Sequence, residues 1–195
     1  MSRRPALAGV GLLLAPGAGS SSSHAALVAI DKAVTAAGGA VRRMDFPYRL
    51  AGRRGPDSMP VLLDALVTES RGFSSDAGLA PGRIYIGGRS MGGRVASLAV
   101  ASGLRAAGLV LVSYPLHPPG KPERLRTEHF GSLSVPCLFI SGRKDAFAMP
   151  AELEAGLAQA PGPVTLKWLD GDHSLRGRDD QVAEVVVNWL IARRG

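Results

Sequence analysis

Gly87-Gly88-Arg89-Ser90-Met91-Gly92-Gly93 is the stretch on which the reading of this chain turns. It follows a strand-like segment at 83–87 (RIYIG) and opens a helix-like one. In that setting Gly88-x-Ser90-x-Gly92 is the pattern of a strand–turn–helix elbow, a bend so tight that only small residues fit beside the serine. The bend leaves the Ser90 hydroxyl at a helix N-terminus, where it is a candidate nucleophile. Glycine is common here, with 25 in 195 residues, and a Gly-Ser turn between strand and helix is often only a turn. Residues far away in the chain decide between the two.

The apolar run Val135-Pro136-Cys137-Leu138-Phe139-Ile140-Ser141 reads as a buried strand and ends at Gly142-Arg143-Lys144-Asp145, which sets a carboxylate just past the strand's carboxyl end. Another strand, 164–169, ends in Asp170-Gly171-Asp172-His173-Ser174 and sets an imidazole at the same level. In parallel α/β sheets, ligands collect outside the carboxyl ends of the strands, so Ser90, Asp145 and His173 can converge there. Their order, serine, aspartate, histidine, differs from the orders of the trypsin-like and subtilisin-like proteases. Taken singly, Asp145 reads equally well as a loop-capping carboxylate and His173 as a surface residue near the last helix. Occurring together with the elbow, they read as a nucleophile, its base and the acid that orients the base. Asp170 and Asp172 compete with Asp145, but they lie so close to His173 in sequence that they are expected to shape its loop.

Acyl chemistry also needs donors for an oxyanion. The first strand, 10–15, runs into Pro16-Gly17-Ala18-Gly19, the 20–23 serines and a helix-like stretch through Ala37. Glycines there let the backbone approach closely and turn its amides inward, with a helix N-terminus behind them. The amides of Ala18 and Met91 are the expected pair of donors.

The stretches LLLAPGAGSSSS (12–23), MDFPYRLAGRRGPD (44–57), GGRSMGGRVASL (87–98), SYPLHPPGKPERLRTEHF (113–130), FISGRKDAF (139–147) and LDGDHSL (169–175) together resemble an α/β-hydrolase-like family. That family includes a testis-expressed protein, a subunit of a histone acetyltransferase complex and many bacterial members. More broadly, the chain is similar to dienelactone-hydrolase-type α/β hydrolases. The resemblance spans nearly the whole chain. It implies a minimal α/β-hydrolase fold and a Ser90–His173–Asp145 triad acting on an ester or thioester through an acyl-enzyme; Gly17, Arg89, Tyr48 and His117 are the expected substrate contacts. Many α/β hydrolases carry His-Gly where this chain has Pro16-Gly17.

Strands are expected at 10–15, 40–46, 83–87, 108–113, 135–141 and 164–169, and helices at 22–37, 58–71, 90–102, 150–159 and 179–193. The last helix has the clearest period, with Val182, Val185, Val186, Trp189 and Leu190 on one stripe. This alternation implies one α/β domain over 1–195, a mostly parallel sheet of about six strands covered by helices on both faces. A chain this long buries roughly 70% of the surface its unfolded form exposes. The longest break in periodicity, 114–134, is too short for a large lid and leaves the site open. Its His117-Pro118-Pro119-Gly120-Lys121-Pro122 run is either a stiffened connection or a substrate wall. His117 and His129 are expected at the surface or in packing rather than as further bases.

The net charge is +7, from 23 Lys+Arg against 16 Asp+Glu. Arg42, Arg43, Arg49, Arg53, Arg54, Arg89 and Arg94 border the expected site, where they either steer an anionic substrate or form an ordinary solvated surface, the second being the preferred expectation. With aromatics at only 5% and no known module, nucleic-acid binding is not expected. The lone Cys137 excludes an intramolecular disulfide, and no metal or other cofactor is expected. Ser2-Arg3-Arg4 and the apolar run behind it imitate an export signal, but cleavage would remove the first central strand and the Pro16-Gly17 loop. The segment is therefore read as structural, the location as cytoplasmic, and no membrane span is expected.

Two other readings stand beside the hydrolase. The first is a non-catalytic interaction domain on the same fold. The second is a dinucleotide-binding fold using Gly17-Ala18-Gly19 with Asp45 on the ribose, which lacks its third glycine because Ser22 stands there.

Overall fold

Five consecutive apolar or small residues, Gly11–Ala15, form β1, and all of them are buried. A strand with both faces covered belongs inside a parallel sheet, and β1 lies there, paired with Ala40–Arg43 (β2) on one side and Ile84–Arg89 (β3) on the other. The sheet continues through Gly108–Val112 (β4), Cys137–Gly142 (β5) and Val164–Leu169 (β6) in the order β2-β1-β3-β4-β5-β6, with every pairing parallel. This computed structural model describes residues 5–118 and 120–193; Ser2-Arg3-Arg4 and Pro119 lie outside them.

Side-chain alternation divides the core between the two faces. Leu12, Leu14, Val110, Val112, Leu138 and Ile140 face Ala25–Ala36 (α1) and the C-terminal helix, meeting Leu27, Ile30, Val182, Val186 and Trp189. The residues between them, Leu13, Leu109, Leu111, Cys137 and Phe139, face the opposite helix layer, where Leu62, Leu66, Val95, Ala96 and Leu153 lie. Pro47–Leu50 (α2), Met59–Ala77 (α3), Met91–Ala101 (α4), Pro150–Leu157 (α5) and Asp179–Ala192 (α6) complete the helices.

The chain leaves β1 towards β2, then crosses back over β1 to β3 and proceeds the other way. This reversal opens a crevice at the carboxyl ends of β1 and β3. The elbow sits there. Gly88 and Gly92 allow it, because a Cβ on either would land on the Ala15 carbonyl. Gly92→Ala is expected to cost about 3 kcal/mol and lower Tm by about 6–12 °C in thermal denaturation. An unchanged Tm would mean the two segments do not touch.

Several elements differ from expectation: α1 begins at Ala25 rather than 22, and α2 was not expected. The β2 strand ends at Arg43 rather than at 46, because Pro47 starts α2 at its first turn. Helix α3 runs to Ala77 rather than 71, passing through Gly72 and stopping at Gly78, whose φ of 61° closes the helix in the left-handed region.

His129 is partly buried in packing, one of its two expected places: its Nε2 lies 2.8 Å from the Ser97 Oγ of α4. Burial, aided by the Arg94 charge, lowers its pKa from 6.5 to about 4. The unfolded chain takes up this proton first, so His129 should cost stability as pH falls from about 6.5 towards 4. Urea unfolding at pH 7 and pH 4.5 checks this, and His129→Gln should flatten the difference.

Candidate active site

The three strand ends bring Ser90, His173 and Asp145 into one hydrogen-bonded chain. Ser90 caps α4 with φ 51° and ψ −118°, a conformation that costs a non-glycine residue energy and holds its side chain out at the turn. Its amide donates to the Val112 carbonyl at 2.9 Å, fixing the bend to β4. The Oγ lies 2.9 Å from His173 Nε2. On the other side of the ring, Nδ1 lies 2.9 and 3.0 Å from the two Asp145 oxygens.

Asp145 is completely buried, and its Oδ1 also accepts the Phe147 amide at 2.9 Å. Asp172 is turned to solvent and accepts from Ser174 N at 2.8 Å and Ser174 Oγ at 2.6 Å, which keep its carboxyl below the usual range. Asp170 is exposed beside Lys144 and Arg178. Neither reaches the imidazole, and both shape the loop. Phe147, which the sequence does not single out, packs against the His173 ring at 4.3 Å between centroids, tilted by 34°. Its position two residues past the acid was the available signal.

On the side where the oxyanion donors are expected, Gly17 abuts the elbow: a Cβ there would lie 3.4 Å from the Ser90 Cβ and 3.3 Å from Arg89 Nη1. The Met91 amide, at the first helical position, has no intrahelical acceptor, and the exposed Ala18 amide has no acceptor among the described residues. Asp45 is occupied by Ser22, from which it accepts N–H at 2.7 Å and O–H at 2.6 Å, so it braces this loop instead of awaiting a ribose.

The expected substrate contacts divide. Arg89 is half-buried and donates from Nη2 to the His173 carbonyl at 3.0 Å, tying the histidine loop to the elbow. Burial lowers its pKa, against the pull of Asp145, Asp172 and Asp179. Tyr48 and His117 do not offer surface to a substrate. Tyr48 is fully buried beside Phe46, because α2 turns it into the core. His117 is 3% exposed, with Nδ1 2.9 Å from the Pro118 carbonyl and Nε2 3.6 Å from Glu152. Its backbone amide donates to the Phe147 carbonyl, so it backs the Asp145 loop.

Several bordering arginines are neutralised: Arg42 pairs with Asp76 and Glu69, Arg43 with Asp31, and Arg53 with Asp57. A cleft of about 530 Å³ between α3 and α4, lined by Leu63, Val67, Arg71 and Arg105, contains none of the three chain-forming residues. Among the described residues, no helix is long and apolar enough to cross a membrane.

An open six-stranded parallel sheet, helices on both faces and a serine at the β3–α4 elbow define an α/β-hydrolase fold. An alpha/beta hydrolase domain family model matches residues 8–190, and the chain belongs to that family. Among solved structures, it is similar to an alpha-beta serine hydrolase homologue from Coxiella burnetii, with TM-score 0.76, 19% identity and coverage of 93% of this chain and 85% of that one. It is also similar to a dienelactone hydrolase from Anabaena variabilis, with TM-score 0.74, 21% identity and coverage of 95% and 87%. A hydrolase of the alpha/beta superfamily from Xanthomonas campestris gives TM-score 0.71 at 19% identity, covering 94% and 99%. At such identities the likeness establishes the fold alone.

Proposed function

We propose that this protein is a serine hydrolase of the carboxylesterase or thioesterase type, cleaving a small ester or thioester in the cytoplasm. The observation that carries this reading is the chain from Ser90 Oγ through both nitrogens of His173 to the buried Asp145, with distances of 2.9 to 3.0 Å. As Ser90 Oγ bonds to the carbonyl carbon, its proton passes to His173 Nε2, and the carbonyl oxygen takes the negative charge between the Met91 and Ala18 amides. Asp145 accepts the Nδ1–H and stabilises the imidazolium. Collapse expels the alcohol or thiol, which leaves with the Nε2 proton. Water then gives a proton to His173, adds to the acyl carbon and frees the acid, and Ser90 regains its hydrogen.

The same motifs, above all GGRSMGGR and LDGDHSL, support a closer kinship with the testis-expressed protein and the acetyltransferase-complex subunit. The test is a fluorophosphonate probe on the purified protein. Labelling that disappears in Ser90→Ala supports the proposal, whereas a folded protein that never labels overturns it. Short p-nitrophenyl esters compared with acyl thioesters then separate the two substrate types.

A further inference from the structure

Arg94 follows Ser90 by one turn of α4, its amide donating to the Ser90 carbonyl at 3.1 Å. Residues i and i+4 share a helix face. The chain leaving β4 passes over this part of α4 and folds back on itself. The Arg126 amide donates to the Leu116 carbonyl at 2.7 Å, and Tyr114 Oη donates to the Arg126 carbonyl at 2.8 Å. Farther along, His129 is held by Ser97 of α4. This path sets Arg126 close enough to Arg94 that, after burial, Arg94 is the strongest influence lowering the Arg126 pKa, with Arg124 adding to it.

Arg94 and Arg126 are both half-buried, and neither pairs with a carboxylate among the described residues. Arg94 Nε is buried with no acceptor. The Arg126 side chain makes one long contact, Nη1 to the Pro115 carbonyl at 3.5 Å. Glu128 is the acid that acts on Arg126, and it is exposed and forms no ion pair among the described residues. Two like charges brought together and partly stripped of water are unfavourable on their own, and a bound anion offsets that cost. Guanidinium forks match the oxygens of a carboxylate or phosphate.

We infer that Arg94 and Arg126 form an anion-binding subsite beside Ser90, selecting esters or thioesters that carry a carboxylate or phosphate group. The inference rests on the hydrolase reading for its substrate class, but the anion site itself does not need turnover. This distinguishes the pair from the arginines already neutralised by Asp31, Asp57 and Asp76.

Two arms test it. In the first, mono-p-nitrophenyl glutarate is compared with p-nitrophenyl acetate. The parent should favour the anionic ester in kcat/KM by about tenfold or more, and Arg126→Met should remove most of that ratio. Arg126→Lys, which keeps the charge but not the fork, should retain part of it. In the second arm, glutarate and inorganic phosphate are titrated separately into the Ser90→Ala protein by calorimetry, with and without Arg126→Met. Binding lost on Arg126→Met supports the subsite, and the better ligand identifies the anion. Absence of heat with both anions, or an ester preference that survives Arg126→Met, overturns it. Anion binding without turnover of either ester would keep the subsite and reject the hydrolase.

Discussion

Ser90→Ala should lower kcat/KM for any ester this protein hydrolyses by about 10⁴-fold or more, measured against p-nitrophenyl acetate in the steady state. The imidazole of His173 points one nitrogen at the Ser90 Oγ from 2.9 Å and the other at Asp145, so removing the hydroxyl leaves the base without its proton donor. The Met91 and Ala18 amides, the proposed oxyanion donors, remain and should supply what rate survives. A loss smaller than about tenfold would show that the chemistry does not pass through this side chain. Ser90→Gly should be equally inactive yet differ in stability. At φ 51° a side chain is strained, so glycine relieves strain while adding freedom to the unfolded chain, for a net gain of about 1 kcal/mol. Alanine keeps the strain, so comparing the two variants in urea separates the cost of the bend from the loss of the hydroxyl.

Asp145→Asn should reduce kcat by about 10³–10⁴-fold with little change in fold. Both carboxylate oxygens lie within 3.0 Å of Nδ1, and a carboxylate only accepts, so Nδ1 must carry the hydrogen and Nε2 is left bare towards Ser90. An asparagine can turn its NH₂ to Nδ1 and favour the reverse tautomer, while its oxygen still receives the Phe147 amide that shapes the loop. Fluorophosphonate labelling rates should fall in parallel with kcat. Asp170→Asn and Asp172→Asn, at exposed positions away from the ring, serve as comparisons and should stay near the parent rate. If Asp145→Asn stays near it as well, Asp145 serves the loop alone.

The strands were legible because each is a short apolar or β-rich run ended by glycine, proline or charge, and each lies within a few residues of its expected position. Side chains close to a strand end were legible for the same reason: Ser90 follows β3 directly, and Asp145 and His173 lie in the short turns after β5 and β6. Tyr48 and His117 were not. Each follows a strand by several residues, and whether a side chain there faces solvent or core depends on turns such as α2, whose Pro47 start carries no periodic signal. Helix α3 runs on past Gly72 because packing of Leu66 and Phe73 on the core outweighs the roughly 1 kcal/mol that an interior glycine costs.

The charge pattern was legible as composition but not as pairing. Arg42 and Arg43 are neighbours on β2, and strand alternation sends them to opposite faces, one to Asp76 at the end of α3 and the other to Asp31 on α1. No sequence spacing announces those partners, which lie 34 and 12 residues away.

Because β1 is an interior strand whose second neighbour begins at Ile84, it must wait, as the chain is made, for some seventy further residues before it can be flanked on both sides. Such distant pairing delays productive collapse and leaves the Leu12-Leu13-Leu14 segment open to chaperone capture during synthesis.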